Sequence, residues 1–268
     1  MHIQLTFDNL KEEQKDILIA RLYDYCVGFE ESGSSLKAIV KRETIDGELN
    51  ELFQHFNTKP SVEEIPEQNW NQLWESNFEP VVVDDFVAVR ADFHEPMTNI
   101  EHEIIITPKM SFGTGHHATT FLMIQLMRGI DFDNKTVFDF GTGTGILAIL
   151  AKKLGAGTTL TTDIDLWSIE NAAENFKRNN IHDVVLKQSD NEVQGKNFDI
   201  ILANINKNVL TEAIPELSNQ LQKNAFLLLS GLLSSDETDI TDLCTKYSLF
   251  LTEKRSRNGW IALKFNKL

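Results

Sequence analysis

The sequence predicts an α/β protein with two parts, a small N-terminal α+β domain and a seven-stranded, Rossmann-like sheet in the C-terminal part. Three observations carry this prediction. Apolar strands alternate with amphipathic helices beyond about residue 117, a glycine-rich turn follows the first of those strands, and a polar, proline-punctuated stretch lies upstream. The 268 residues suffice for two cores. We expect domains at 1–56 and 78–268, joined by a linker at 57–77.

The N-terminal part alternates between strand and helix patterns. Residues 3–7 alternate apolar and polar side chains as a strand does, and residues 11–26 carry apolar groups at helical spacing. Residues 36–42 return to strand chemistry, and residues 46–56 predict a short helix. Beyond the linker, short strands are predicted at 81–83, 86–89 and 104–106.

The C-terminal part has the pattern of a doubly wound sheet, because most of its strands are joined by helical crossovers. Strands are predicted at 137–140, 158–162, 184–187, 198–203, 225–229, 248–251 and 260–265, and helices at 146–154, 166–179, 208–221 and 235–246. The last two strands leave no room for a helix between them, which predicts a reversed strand at one edge of the sheet.

Charge and composition narrow the range of partners. The chain has a net charge of −15, and residues 61–106 alone carry 11 acidic groups and 1 basic group. Such a field repels nucleic-acid backbones and attracts a cationic partner, but it also keeps a surface soluble, and both roles stay open. No apolar run approaches the roughly 18 residues of a membrane span, and the first residues lack the pattern of a signal peptide. We expect a cytoplasmic monomer without membrane or direct nucleic-acid contact.

The glycine-rich turn predicts a nucleoside site. Residues 137–148 (VFDFGTGTGILA) form a strand, a turn containing Gly141, Gly143 and Gly145, and the start of a helix. Glycines suit this position because side chains would keep a ligand away from the backbone amides at the helix start. Asp163 follows the next strand, where its carboxylate can accept hydrogen bonds from both ribose hydroxyls of an adenosine.

A charge argument separates two candidate cofactors. The spacing of Gly143, Gly145 and Ala148 also satisfies the dinucleotide pattern, so a nicotinamide cofactor is an alternative. Asp139 precedes the turn, and its carboxylate would repel a pyrophosphate but stabilise the ammonium and sulfonium cations of S-adenosylmethionine. We therefore expect S-adenosylmethionine, with Asp139 as a binding residue. A purely structural role for Asp139, capping the turn, is the alternative.

Two further segments contribute polar groups. Residues 111–120 (SFGTGHHATT) form a second small-residue loop that leads into an apolar helix, and Thr119 and Thr120 could cap that helix. The neighbouring histidines in this loop have no acidic or cysteine partner at ligand spacing, so we expect no metal and assign them to local capping or to hydrogen bonds of the cofactor loop. Asn204 follows a sheet strand and can turn an amide carbonyl toward an attacking amine, unless it simply starts the next helix; Asn206 is a weaker candidate.

These motifs resemble the PrmA family, the methyltransferases of large-subunit ribosomal protein L11. The likeness rests on Trp70-x-x-x-Trp74, Phe78-x-Pro80, the loop at 112–120, DFGTGTG at 139–145, Asp163-Ile-Asp165 and Asn204-Ile205. It implies a class I S-adenosylmethionine methyltransferase fold, cofactor binding by Thr120, Gly141, Asp163 and Asn204, and recognition of the protein substrate by the N-terminal domain. The chain departs from the family at Thr142 and Thr144, where cysteine and serine are frequent, and at Ala118, where proline is frequent.

The implied reaction transfers a methyl group to an amine, either a lysine side chain or an N-terminal amine. The nucleophile must be neutral, and with an ordinary lysine pKa near 10.4 only about one part in a thousand is neutral at physiological pH. Desolvation lowers that pKa and orientation contributes much of the rate, so no dedicated base is required, and the sequence shows none. A nicotinamide-dependent oxidoreductase and a nonenzymatic S-adenosylmethionine sensor are the alternative functions.

Overall fold

The computed structural model describes residues 2–11, 14–15, 18, 22, 26–32, 34–41, 60–65, 78–107, 117–190, 195 and 197–268. The chain forms two compact units, Met1–Ser76 and Asn77–Leu268. The predicted helix at 46–56 and residues 111–116 of the loop at 111–120 lie outside the described residues.

The first unit contains an antiparallel sheet. Its described strands have the order β2-β3-β1-β4, where β1 is His2–Phe7, β2 is Cys26–Ser32, β3 is Ser35–Lys41 and β4 is Ser61–Ile65. Alternate residues of the two central strands face the core, as the period of two requires. That core consists of Ile3, Leu5, Phe7, Leu10, Leu18, Leu22, Leu36, Ala38 and Val40.

Two predictions for this unit are wrong in part of their range. The helix predicted over 11–26 cannot extend to its last residue, because Cys26 begins β2. The linker predicted at 57–77 contains β4, whose Val62 pairs with Leu5 of β1. An edge strand is held chiefly by backbone hydrogen bonds, so Ser61–Ile65 needs few apolar contacts, and Val62 remains 59% exposed. The polar composition of this strand is the reason that the sequence pattern did not predict it.

The second unit begins with a small sheet. In its described residues, β5 (Val81–Val83), β6 (Val87–Ala91) and β7 (His102–Ile106) lie in the order β5-β6-β7, and β6 runs parallel to β7. All five residues of β6 are buried. The predicted strands at 81–83 and 104–106 fall within β5 and β7, and the strand predicted at 86–89 begins one residue later.

The main sheet confirms the Rossmann-like α/β prediction. Seven strands of the described chain lie in the order β10-β9-β8-β11-β12-β14-β13. Their bounds are β8 Val137–Phe140, β9 Thr159–Asp163, β10 Val184–Gln188, β11 Phe198–Asn204, β12 Leu221–Leu233, β13 Leu249–Arg257 and β14 Trp260–Lys267. The reversed strand is β14, which is antiparallel to both β12 and β13 and lies one position in from the edge.

Helices cover both faces of this sheet. They are α1 Ala118–Met127, α2 Ile146–Lys153, α3 Leu166–Arg178, α4 Lys207–Asn219 and α5 Glu237–Lys246. Strand β11 shows the two-sided burial directly: Ile200 and Leu202 belong to the core with α1, α2 and α3, whereas Ile201 and Ala203 belong to the core with α4 and α5. No helix in the described part of the chain is long and apolar enough to cross a membrane.

Candidate functional site

The carboxyl edge of the parallel strands gathers the predicted site residues. In the sheet register, Phe140 of β8 lies opposite Thr162 of β9 and Ala203 of β11, so the turn after β8, Asp163 and Asn204 meet at one edge. Open α/β sheets bind ligands at this edge.

The glycine turn has a left-handed backbone at each of its glycines. Gly141, Gly143 and Gly145 have φ angles of 77°, 55° and 80°. Gly145 is the N-cap of α2, and a Cβ there would lie 2.8 Å from the ring of Phe176. Because a glycine cap has no side chain to offer, the first amides of α2 are available to a ligand.

Asp139 is a buried carboxyl group with one unmatched oxygen. It is 1% exposed, and its Oδ2 accepts a hydrogen bond from Thr142 Oγ1 at 2.6 Å. Its Oδ1 is buried and has no hydrogen-bond partner among the described residues. Burial raises the pKa of Asp139 to about 7, with a further rise from the charge of Asp163 and against the lowering effects of the Thr142 hydrogen bond and of the backbone N–H of Ala148. The capping alternative explains the contacts with Thr142 and with the backbone of Ala148, whereas the partnerless Oδ1 is suited to a cationic ligand.

Asp163 ends β9 and is held by backbone amides. Its Oδ2 accepts from the N–H of Gly143 at 2.8 Å and its Oδ1 accepts from the N–H of Asp165 at 3.0 Å. Each carboxylate oxygen can accept a second hydrogen bond, so both remain able to bind a ribose hydroxyl. Asp165 has a different task, because its carboxylate accepts the N–H groups of Trp167 and Ser168 and caps α3.

Asn204 and Thr120, which are 84 residues apart in the chain, are in contact. The Nδ2 of Asn204 donates to Oγ1 of Thr120 at 3.3 Å. Neither residue is a helix cap. The N-cap of α1 is His117, whose Nδ1 accepts the N–H of Thr119, and the N-cap of α4 is Asn206, whose Oδ1 accepts the N–H of Val209. The alternatives that made Thr120 or Asn204 a helix start are therefore wrong.

Trp260 is a site neighbour that sequence reasoning missed. Its ring lies in a T-shaped contact with that of His117, at 4.7 Å between centroids. The antiparallel register of β12 and β14 pairs Trp260 with Leu233. The sequence predicted Trp260 only as the first residue of a strand, and no local pattern links it to a loop more than a hundred residues upstream.

Arginines of the second unit partly neutralise the acidic segment at 61–106. Arg128 forms ion pairs with Asp85 and Glu101, each at 2.6 Å, and Arg178 pairs with Asp92. These contacts use part of the negative charge that would otherwise attract a cationic partner. They favour the solubilising and structural interpretation of the segment over a docking role.

The chain is similar to known proteins over nearly its whole length. The family model described as Ribosomal protein L11 methyltransferase (PrmA) matches residues 7–268. A ribosomal protein L11 methyltransferase of Porphyromonas gingivalis is 39% identical over 264 residues, covering 95% of this chain and 91% of that protein. A namesake from Phocaeicola vulgatus is 34% identical over 251 residues, covering 89% of each chain.

A solved structure agrees with these relatives. The crystal structure of ribosomal protein L11 methylase from Lactobacillus delbrueckii subsp. bulgaricus has 29% sequence identity and a TM-score of 0.65, covering 71% of this chain and 99% of that one. The match to the family model includes residues of both units. The chain belongs to the ribosomal protein L11 methyltransferase (PrmA) family.

Proposed function

We propose that this protein transfers methyl groups from S-adenosylmethionine to amino groups of ribosomal protein L11, with lysine side chains as the primary acceptors and the N-terminal amine as a further candidate. The observation that carries the cofactor assignment is the buried, unmatched Oδ1 of Asp139 beside the glycine turn. A buried carboxylate is stabilised by an adjacent cation, and S-adenosylmethionine has two cationic groups. Family membership supports the reaction and the substrate.

Different residues at the carboxyl edge bind different groups of the cofactor. The turn of Gly141, Gly143 and Gly145 lets a ligand approach the amides at the start of α2, Asp163 accepts hydrogen bonds from ribose hydroxyls, and Asp139 stabilises positive charge. The bound cofactor supplies an electrophilic methyl group on sulfur. Membership in a methyltransferase family supports neither the nicotinamide-dependent oxidoreductase nor the nonenzymatic sensor.

Asn204 is the residue that we assign to the acceptor amine. With its Nδ2 turned toward Thr120, its Oδ1 has no donor among the described residues and can accept an N–H of the amine. That hydrogen bond directs the nitrogen lone pair along the line of displacement, and such orientation accounts for much of the rate in a two-substrate transfer. The amine reacts as its neutral form, which desolvation in the closed site favours.

The other partner assignments follow from charge and family. We assign recognition of the ribosomal protein to the N-terminal unit, because each proposed cofactor residue lies in the second unit. A net charge of −15 opposes direct nucleic-acid binding. We propose that the protein is a monomer. We place it in the cytoplasm, because ribosomal proteins are synthesised and assembled there.

A labelled-methyl assay tests the proposal. Purified protein is incubated with methyl-labelled S-adenosylmethionine and ribosomal protein L11 from the same organism, and mass spectrometry locates the modified amines. Asn204→Ala should abolish most transfer with a much smaller loss of cofactor affinity, whereas Asn206→Ala removes a helix cap, costs about 1 kcal/mol of stability and keeps turnover. Cofactor binding without transfer to any ribosomal protein would leave only the sensor alternative. Transfer to another ribosomal protein would change the substrate and keep the enzyme class.

A further inference from the structure

The connection between β11 and α4 is a single residue. Asn204 is the last residue of β11 and Asn206 is the N-cap of α4, so Ile205 alone forms the turn between them. The side chain of Asn204 makes one hydrogen bond among the described residues, to Thr120 at 3.3 Å, which is a long and weak contact. Its orientation must therefore come mainly from the backbone on either side.

Gly231 packs against the backbone of Ile205. An added Cβ at Gly231, whose φ is +85°, would lie 2.1 Å from the carbonyl oxygen of Ile205 and 2.6 Å from its carbonyl carbon. Neither atom can rotate away, because both belong to the main chain. Any L side chain at this position therefore requires a shift of the peptide that follows Asn204.

A bulge in β12 brings Gly231 to this position. The pairing of β12 with β14 shifts register between Leu229 and Leu232, and the residue before the glycine, Ser230, is the partner of Asn204 in the β11–β12 register. Oγ of Ser230 donates to the carbonyl oxygen of Ile261 at 2.8 Å in a fully buried contact. This hydrogen bond ties the bulge to β14 and so fixes the position of Gly231 against Ile205.

The cofactor turn contacts the same residue from another direction. An added Cβ at Gly141 would lie 2.4 Å from Cγ2 of Ile205. The backbone of Ile205 therefore lies against Gly231 and its side chain against Gly141. A displacement of Ile205 would disturb Asn204, the residue immediately before it.

We propose that Gly231 is a positioning residue for methyl transfer: together with Gly141 it holds Ile205 in place, and thereby aims the Asn204 amide at the acceptor amine. The inference rests on the role proposed above for Asn204. Gly231 is absent from the set of cofactor-binding residues and acts through the main chain. It matters because reacting groups misplaced by about 1 Å lose rate by about a hundredfold.

The primary test replaces Gly231 and compares it with a matched glycine. Gly195 also has a left-handed φ, +62°, but has nothing within 4 Å of an added Cβ. Gly195→Ala therefore reports the cost of backbone strain alone. For Gly231→Ala we expect kcat for L11 methylation to fall about a hundredfold, with a much smaller change in the dissociation constant for S-adenosylmethionine. Equal kcat values for the two variants at a temperature where both are folded would overturn the proposal.

A double-mutant cycle shows whether Gly231 acts through Asn204. If it does, Gly231→Ala should cost little further kcat in an Asn204→Ala background, because the group it positions is gone. Additive losses would mean that Gly231 acts by another route and would overturn the inference. An unchanged kcat for Asn204→Ala alone would instead refute the proposed role of Asn204, and the inference would fall with it.

Ile205→Ala covers the case in which Gly231→Ala does not fold. It removes the side chain that lies against Gly141 and introduces no overlap. We expect a smaller loss of kcat, about tenfold, that again disappears in the Asn204→Ala background. If Gly231→Ala does not fold, a folded Ile205→Ala protein with unchanged kcat would overturn the proposal.

Discussion

Replacing Asp139 by asparagine should change the pH dependence of stability and remove a proton from the binding equilibrium. The carboxyl group is 1% exposed, and its burial raises its pKa to about 7. Asparagine keeps the shape and an acceptor for Thr142 Oγ1, but it cannot ionise. The comparison of the two proteins therefore isolates the charge.

The sign follows from the direction of the pKa shift. Below the ordinary carboxyl pKa of 3.8 both the folded and the unfolded chain hold the proton. Between that value and about 7 the unfolded chain releases the proton while the folded chain keeps it, so the contribution to stability is lost as pH rises. At about 1.4 kcal/mol per pKa unit, the loss between these limits reaches about 4 kcal/mol. Asp139→Asn should abolish this component.

Denaturant unfolding from pH 5 to pH 8 measures the effect. Relative to the natural protein, Asp139→Asn should gain stability from pH 5 to about pH 7, and the difference should level off above that pH. Asp165→Asn is the matched control, because hydrogen bonds from Ser168 hold the pKa of that exposed carboxyl below its usual value, so its stabilising contribution is lost only as pH falls. A constant difference between natural protein and Asp139→Asn would refute the argument from burial.

Cofactor binding supplies a second readout of the same group. A cation beside Asp139 favours its ionised form, so binding of S-adenosylmethionine near pH 7 should release a proton. Calorimetry in two buffers of different ionisation enthalpy measures this release. Asp139→Asn should bind more weakly and release none, and an unchanged proton release in the variant would move the linked group elsewhere.

Three further predictions concern the turn, the ribose and the division of labour between the units. Asp163→Ala should weaken binding of S-adenosylmethionine by about 1.5–3 kcal/mol in a folded protein, because charge-assisted hydrogen bonds are lost. Calorimetry should find the cofactor affinity of Asp165→Ala nearly unchanged, and equal losses of affinity in the two variants would contradict the ribose assignment. Gly145→Ala should lower both stability and cofactor affinity, since its φ is +80° and the new methyl would meet Phe176 at 2.8 Å, whereas Gly129→Ala has open space and should change neither in thermal unfolding and titration. Deleting 1–76 should keep cofactor affinity within a few fold but abolish L11 methylation; full transfer by the shortened protein would place substrate recognition in the second unit.

Features whose signals are local could be predicted from the amino-acid sequence. The strand, turn and helix around DFGTGTG appear in the structure as β8, the left-handed glycines and α2, because glycine spacing and apolar periodicity act over a few residues. Asp163 could be placed at the end of β9 for the same reason. The family likeness also needed only short motifs.

Tertiary structure decided what depends on distant parts of the chain. The contact between Asn204 and Thr120 and that between His117 and Trp260 exist because crossovers bring separate strands and helices to one sheet edge. Strand β4 escaped prediction because an edge strand is selected by backbone pairing with β1 rather than by its own polar side chains.

The pKa of Asp139 also could not be predicted from the sequence. Asp139 could be predicted as a binding residue from its place before the turn, but its pKa of about 7 comes from burial among packed neighbours. The approach of Gly231 to Ile205 likewise follows from a register shift between β12 and β14. Desolvation and close packing are set by all the atoms that surround a group, and those atoms come together only when the chain folds.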